Sequence, residues 1–138
     1  MFDANEVING LYGFVYDENG KQMQETKAFE ANVAYDKEEV LQAGKLMKGH
    51  KVIAASGAGT ITAHKIDSRL QRKAADNPHA KYNFSAKLKD PTSKGEEYIM
   101  FIGVSFDSAQ LMSFELGELG EIEMDFTFDD YKYLKSIN

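Results

Sequence analysis

Three groups of residues in this sequence carry the chemical groups that phosphate binding, metal binding or acid/base catalysis would need. The first is the glycine-rich run Ser56–Thr60, which resembles a phosphate-binding loop. It lacks the lysine of such a loop, and an alternating pattern typical of a strand follows it where a helix should begin. Glycines inside a strand more commonly mark a bulge or a close backbone approach. We therefore predict that these glycines are structural.

The second group consists of the three histidines, His50, His64 and His79. Their spacing is not that of metal ligands. The chain contains no cysteine, which excludes disulfides and thiolate chemistry and is typical of proteins made in a reducing cytosol. The run Asp17–Gly20 is not a calcium loop, because its glycine stands at the fourth position and not the sixth. We expect no catalytic residue, no metal site and no cofactor.

The third group is a set of carboxylates near the C-terminus: Glu115, Glu118, Glu121, Glu123 and Asp125. Two carboxylates side by side could act as a general acid and a general base. Their alternation with apolar residues instead indicates that they lie on one exposed face of a strand. A third interpretation is that this face lines a negatively charged channel.

The elements that would position these residues are mostly strands, because the dominant hydrophobic period is two. The run Glu97–Phe106 is apolar on both faces, which predicts a central strand. Turn residues at Asp17–Gly20, Lys89–Gly95 and Gly117–Gly120 separate the strands. The predicted strands are Thr26–Tyr35, Lys51–Ala63, Lys81–Leu88, Glu97–Phe106 and Glu121–Asp129.

Only one segment is predicted to be helical, at about 67–76, with Asp67 or Ser68 as the N-cap and Asn77-Pro78 as the stop. The segment from about 36 to 50 follows neither period and is rich in both charge signs, with two glycines. A long loop in a compact domain is usually functional or disordered, so we predict a projecting loop that docks on a partner. The whole chain, 1–138, is predicted to be a single domain that is mainly β.

Charge and composition exclude several function classes. The formal net charge is −6, whereas proteins that grip the DNA backbone are basic. The N-terminus lacks the features of a signal peptide, and no stretch approaches the roughly 18 apolar residues of a membrane helix. We therefore expect neither tight nucleic-acid binding nor a membrane location.

Several short runs, taken in order, resemble a known family. They are Phe29–Val33, Lys37-x-Glu39-Val40, Gly44-Lys45-x-Met47-x-Gly49-His50-Lys51, Gly57–Thr60, Val104-x-Phe106-Asp107-Ser108-Ala109 and Phe126–Asp130. Their order and spacing resemble those of the tail-tube proteins of contractile phages, defective prophages and phage-tail-like bacteriocins. The resemblance extends from about Ile8 to Tyr131.

The resemblance implies a β-sandwich or half-open barrel with a flanking helix, in a structural protein that is not an enzyme. It implies homohexameric rings that stack into a tube, each subunit giving four strands to an inner barrel of 24. At a strand spacing of about 4.8 Å and a tilt near 40°, that barrel is roughly 45–50 Å across. The implied partners are further copies of the chain, a contractile sheath protein and a baseplate or tail-initiation complex, with DNA only as non-specific cargo. The implied location is the bacterial cytoplasm during assembly and then the virion or tail-like particle.

The resemblance also assigns two candidate surfaces. The first is the predicted loop, which would contact the neighbouring ring through Asp36, Lys37, Glu38, Glu39, Lys45, Lys48 and His50. The second is a candidate lumen-facing set on the last predicted strand, namely Glu121, Glu123 and Asp125. An acidic lumen would let DNA slide without binding.

Two other functions remain open from the residues. A monomeric β-barrel that binds a small molecule would have a roomy cavity and would form no ring. A hydrolytic enzyme that uses two carboxylates would place at least one buried carboxyl with a strongly shifted pKa in a cleft. The tube of a bacterial secretion system is a further possibility within the tube class.

Overall fold

A computed structural model describes residues 3–23, 25–66, 68–92 and 94–137. Two 3-10 turns (Ala4–Glu6 and Gly10–Tyr12) precede the regular elements. These elements are seven strands and one helix among the described residues: β1 (Gly13–Tyr16), β2 (Thr26–Val40), β3 (Gly49–His64), α1 (Arg69–Asp76), β4 (Tyr82–Leu88), β5 (Glu97–Phe106), β6 (Glu121–Phe128) and β7 (Asp130–Lys135).

The strands form two antiparallel layers that share β5. Sheet A has the order β1-β4-β5-β7, and sheet B has the order β5-β6-β3-β2, with only the end of β5 taking part. β5 pairs with β7 up to Ile102 and with β6 from Ser105. Between these positions Gly103 has a φ of 71°, and a Cβ there would lie 2.5 Å from Asp129 Oδ2. The prediction of a central strand at Glu97–Phe106 is confirmed.

The core lies between the two sheets. Along β6, exposed and buried residues alternate strictly, so that Ile122, Met124, Phe126 and Phe128 all face inward. The ring of Phe101 from β5 packs edge-on against Phe128, with centroids 5.1 Å apart. Burying such side chains stabilises the fold by about 1.5–3 kcal/mol each, which makes the aromatic layer a main source of stability.

The glycine-rich run lies in the middle of β3, where two glycines face the core beneath aromatic rings. A Cβ on Gly57 would lie 2.3 Å from the Phe128 ring, and one on Gly59 would lie 2.5 Å from Phe126 Cζ and 2.3 Å from the Glu30 carbonyl oxygen. Carbon atoms do not approach this closely, because contact distances are about 3.5–4.0 Å. The glycines therefore allow a close approach of rings to backbone, as the sequence predicts.

The predicted helix is confirmed as α1, which begins at Arg69 after Ser68 in the N-cap position. Asp67, the other predicted N-cap, lies outside the described residues. Leu70 and Ala74, four residues apart, are buried on the face that meets the core. One turn of separation places them on the same side of the helix.

The predicted loop at 36–50 is largely a β-hairpin, which is a difference from the sequence analysis. β2 continues to Val40 and β3 begins at Gly49, so that only residues 41–48 connect the strands. In this region Glu38 lies opposite Lys51, and Lys48 Nζ lies 3.1 Å from Glu39 Oε2. Neither face of this ribbon is covered, so burial imposes no apolar period for the sequence to display.

The end of the chain also differs from expectation. β7 was not predicted, because all six of its residues are exposed and no alternation marks it. Glu115 and Glu118 were predicted to share a strand face with Glu121, which is wrong. They lie before β6 in a turn, in which the backbone N–H of Glu118 donates to the Glu115 carbonyl oxygen at 3.2 Å.

Candidate assembly surfaces

The outer face of sheet B carries the predicted carboxylates. Glu121, Glu123 and Asp125 are all exposed on the side of β6 that points away from the core. Asp125 Oδ1 accepts a hydrogen bond of 2.8 Å from Thr60 Oγ1 on β3. Glu121 pairs with Lys27, and the hydrogen bond from this lysine holds the pKa of the Glu121 carboxyl below its ordinary value. This lysine therefore favours the charged form of the Glu121 carboxyl.

The same face continues across β3 and β2 with small and polar side chains. The register places Asp125 beside Thr60 and Thr60 beside Glu30, and in the next row it places Ala58 beside Asn32. Among the described residues of this face, Lys27 is the one cation beside the carboxylates of Glu30 and the three β6 residues, which gives these five side chains a formal net charge of −3. The face is therefore acidic and lacks large side chains.

The hairpin of β2 and β3 extends past the rest of the sheet. The last residue of β3 that pairs with β6 is Gly57, opposite Phe128. From Gly57 to Gly49 the ribbon has only two strands, and at about 3.3 Å per residue it projects about 26 Å. We call residues 34–56 the arm and residues 41–48 its tip.

All seven predicted loop residues lie on the arm: Asp36, Lys37, Glu38, Glu39, Lys45, Lys48 and His50. The structure pairs some of these charges with each other, as in the contact between Lys48 and Glu39. Exposed ion pairs of this kind contribute about 0–1 kcal/mol. Lys45 projects from the tip, where Leu41, Leu46 and Met47 are also exposed. The tip therefore exposes apolar surface in addition to its charged groups.

A second exposed surface was missed by the sequence analysis. Residues 111–119, between β5 and β6, form no regular structure and expose five large apolar side chains: Leu111, Met112, Phe114, Leu116 and Leu119. The base of this segment is anchored, because Gln71 Nε2 donates to the Gln110 carbonyl oxygen at 2.8 Å and the Lys65 N–H donates to that of Gly120 at 2.8 Å. We call residues 111–119 the acidic apolar segment. The sequence does carry a signal for this surface, because apolar residues are concentrated in a segment that has neither a strand period nor a helix period.

An apolar cleft opens between the two sheets beside β1 and β2. It has a volume of about 720 Å³, and its walls include Leu11, Met23, Phe29 and Ile99. Drug-sized ligands occupy pockets of similar volume, so this is the feature of the structure that a small-molecule carrier would use.

The structure offers no acid/base pair among the described residues. The carboxyls with shifted pKa values are those of Asp90, Glu96 and Glu121, and all three are lowered by hydrogen bonds to the charged form. A general acid would need a raised pKa. No cluster of metal-ligating side chains occurs in the part of the chain that is described. The same part contains no helix long and apolar enough to cross a membrane.

The histidines are distributed over separate parts of the fold. His50 lies on the arm, His64 ends β3 beside Glu121, and His79 lies in the turn after α1. Because the three histidines lie in separate parts of the fold, they do not form a common site.

The outer edge of β2 is the terminal edge of sheet B. No strand among the described residues pairs with it. An unpaired edge that presents backbone N–H and C=O groups is a template for pairing with another chain. At 15 residues, β2 is long for an edge strand, and the molecule therefore has a free edge suited to lateral association.

The fold, an open antiparallel sandwich with a long projecting hairpin, has known structural counterparts. A chain in the extended-state PVC sheath–tube complex of an extracellular contractile injection system is 10% identical, with a TM-score of 0.72 over 99% of this chain and 100% of that chain. A chain in the tube-terminating cap of the anti-feeding prophage is 9% identical, with a TM-score of 0.76 over 99% of this chain and 96% of that chain. These likenesses show that the chain shares its fold with those two chains.

Sequence comparison identifies the family. The family described as phage tail tube protein matches residues 1–135, and the chain belongs to it. The phage-like element PBSX protein XkdM of Bacillus subtilis (strain 168) is 35% identical over 136 residues, which are 93% of this chain and 90% of that protein. The chain is therefore a structural tail protein of phage-like particles and not an enzyme.

Proposed function

We propose that the chain is the subunit of an inner tail tube, in which six copies form a ring and rings stack around a channel. Sheet B would line the channel, each copy contributing β5, β6, β3 and β2, and sheet A with α1 would lie outside. The observation that carries this proposal is the outer face of sheet B, which is acidic, lacks large side chains and ends in the unpaired edge of β2. Ring closure would pair that edge with a neighbouring copy.

The direct test is electron microscopy of the negatively stained protein, with its mass measured by light scattering. Hollow tubes or rings, formed alone or after addition of a tail-initiation complex, are expected. A protein that stays at 15.5 kDa under both conditions would refute the tube function. Assembly only with the complex would identify nucleation as the controlled step.

The direction in which the acidic face points has its own test. The variant Glu123→Lys with Asp125→Lys reverses two charges per subunit on this face. If the face lines the channel, tubes of the variant should retain short duplex DNA inside, whereas wild-type tubes should exclude it, because cations attract the phosphate backbone. Protection of the DNA from nuclease is the measurement. Equal exclusion by both kinds of tube would place the face elsewhere.

The apolar cleft favours one alternative, a carrier of small apolar molecules. That function predicts a monomer that binds an apolar dye in the cleft. The variant Phe29→Ala would reduce such binding. If the tube function is correct, the dye is instead expected to leave when the subunits assemble, or not to bind at all.

A further inference from the structure

The apolar cleft beside β1 and β2 leaves one side of the core uncovered. Met23, Phe29 and Ile99 pack against the core, but they are only half-buried because their other side lines the cleft. Leu11 also lines the cleft and is 82% exposed. A cavity of about 150 Å³ can hold a benzene ring, so the cleft, with a volume of about 720 Å³, has room for several apolar side chains.

The acidic apolar segment presents apolar side chains of this kind. Its five large apolar side chains are 76–94% exposed, and concentrated apolar exposure marks an interaction site. Both ends of the segment are held, because Ala109 packs against the core and the Lys65 N–H donates to the Gly120 carbonyl oxygen. A segment with fixed ends loses less conformational entropy on docking than a free tail does.

The cleft and the segment lie on opposite edges of sheet B, at the same end of its strands. The end of β3 lies between them, because the His64 N–H donates to the Glu25 carbonyl oxygen just before β2, and the next N–H donates to Gly120 just after the segment. β2 forms one edge of the sheet, and the segment follows the end of β5 at the other. The edges are three strand spacings apart, about 14 Å. When two copies stand edge to edge, the segment of one therefore comes beside the cleft of the other without a shift along the strands.

The two surfaces also carry charges of opposite sign. Residues 111–119 contain two glutamates and no basic residue, so the segment has a formal charge of −2. The described residues that line the cleft have a formal charge of +1, which comes from Lys27, Lys87 and Glu97. Opposite charges favour the pairing of segment with cleft over the pairing of two segments.

We propose that the acidic apolar segment of one copy inserts its apolar side chains into the cleft of the neighbouring copy in the same ring. This inference rests on the proposed tube function and adds a contact to the pairing at the edge of β2. Each copy gives its segment to one neighbour and its cleft to the other, and heterologous contacts of this kind close into a ring when the rotation between copies allows it. The contact covers the open side of the core, so ring formation stabilises the fold of each subunit.

Filling the cleft tests the pairing from one side. In the variant Ala86→Phe, a ring on the cleft wall formed by β4 would occupy the space that the segment of the neighbour needs. Burial of a single large apolar side chain corresponds to at least about tenfold in an equilibrium constant. The minimum concentration for tube growth, measured by sedimentation and electron microscopy, should therefore rise at least about tenfold.

The matched control is Ala75→Phe, which places the same ring on an exposed position of α1. This control should assemble like the wild type, and circular dichroism should show both variants folded. If the folded Ala86→Phe variant forms tubes at the same concentration as Ala75→Phe, the pairing is wrong while the tube function stands.

Cross-linking measures the contact directly and does not depend on the fold of a cleft-filling variant. The chain has no cysteine, so the double variant Ala31→Cys with Leu116→Cys carries the only two thiols, one in the cleft and one on the segment. In tubes, a short bifunctional thiol reagent should yield covalent oligomers that extend to the copies of one ring and no further. The matched control is Asn32→Cys with Leu116→Cys, because Asn32 is the next residue of β2 and points to the opposite face. This control and each single-cysteine variant should yield no oligomers.

Three results from assembled tubes would overturn the pairing and leave the tube function intact. They are the absence of covalent oligomers, equal cross-linking by the Ala31 and Asn32 variants, and oligomers larger than one ring, which would place the contact between rings. If the wild type itself forms no tube with an initiation complex, both proposals fail.

Discussion

The glycine at position 59 provides the sharpest test of how the two sheets pack. In the variant Gly59→Ala, the new Cβ would stand 2.5 Å from Phe126 Cζ and 2.3 Å from the Glu30 carbonyl oxygen. Normal contacts are about 3.5–4.0 Å between carbons, so each neighbour would have to move by about an ångström. Neither can move freely, because Phe126 is buried and stacked on Phe29 at 5.6 Å and Glu30 belongs to the β2–β3 ladder.

Overpacking of this kind destabilises a protein by about 1–3 kcal/mol. Because the new methyl group would clash with a backbone carbonyl as well as with a ring, we expect Gly59→Ala to lower the free energy of unfolding by about 3 kcal/mol. For a chain of 138 residues, this corresponds to a decrease in the melting temperature of about 10 °C. The loss of chain entropy in the unfolded state favours alanine by up to about 1 kcal/mol and does not reverse the sign.

The assay is equilibrium unfolding in urea, followed by circular dichroism, with Gly10→Ala as the matched control. Nothing lies within 4 Å of a Cβ at Gly10, so this variant should keep the stability of the wild type or gain slightly. If Gly59→Ala were as stable as Gly10→Ala, the close approach of the aromatic layer to β3 would be refuted.

Three further predictions concern the core, the surface and acid stability. Phe101→Ala should destabilise the fold by about 3–5 kcal/mol in thermal unfolding, whereas Phe114→Ala should leave the melting temperature unchanged and reduce tube yield. A larger effect of Phe114 than of Phe101 on melting would contradict the burial assigned to them. Deletion of Glu38–Met47 on the arm should leave a folded monomer that forms no tube, and tubes of this variant in electron micrographs would refute the role of the arm. The pKa of Asp90 is held below its ordinary value of 3.8, chiefly by the backbone N–H of Thr92. Its contribution to stability is therefore complete above about pH 4 and is lost as the pH falls through the lower folded-state pKa. In urea titrations at a series of pH values, the free energy of unfolding of Asp90→Asn should therefore fall less between about pH 4 and lower pH than that of the wild type. An equal fall in both proteins would argue against this role of Asp90.

The strands with one buried face could be predicted from the sequence because burial imposes a period. β6 is the clearest case, since its alternation of Glu121, Ile122, Glu123 and Met124 matches the alternation of exposed and buried residues one for one. β5 could be identified as central because both of its faces are apolar. The candidate acidic face follows from the same alternation, and its exposure is confirmed. Its position in a channel stays a prediction.

The elements without a buried face could not be predicted in the same way. β7 is exposed at every residue and is held by pairing with β5. The outer part of the hairpin, from Asp36 to Lys51, is held by cross-strand hydrogen bonds and leaves both faces in solvent. Hydrogen-bond pairing depends on the backbone, which is the same for every sequence, and it therefore leaves little trace in the order of side chains.

The sequence by itself determined the β class, the position of the short helix and the alternation that separates an acidic face from an apolar one. Only the tertiary structure decided that the tip and the acidic apolar segment lie at opposite ends of one long strand. That arrangement depends on the register of β3 with β6 and on where the chain leaves each strand. Register is set by the packing of the whole core, so the relation between these two surfaces exists only once the core has formed.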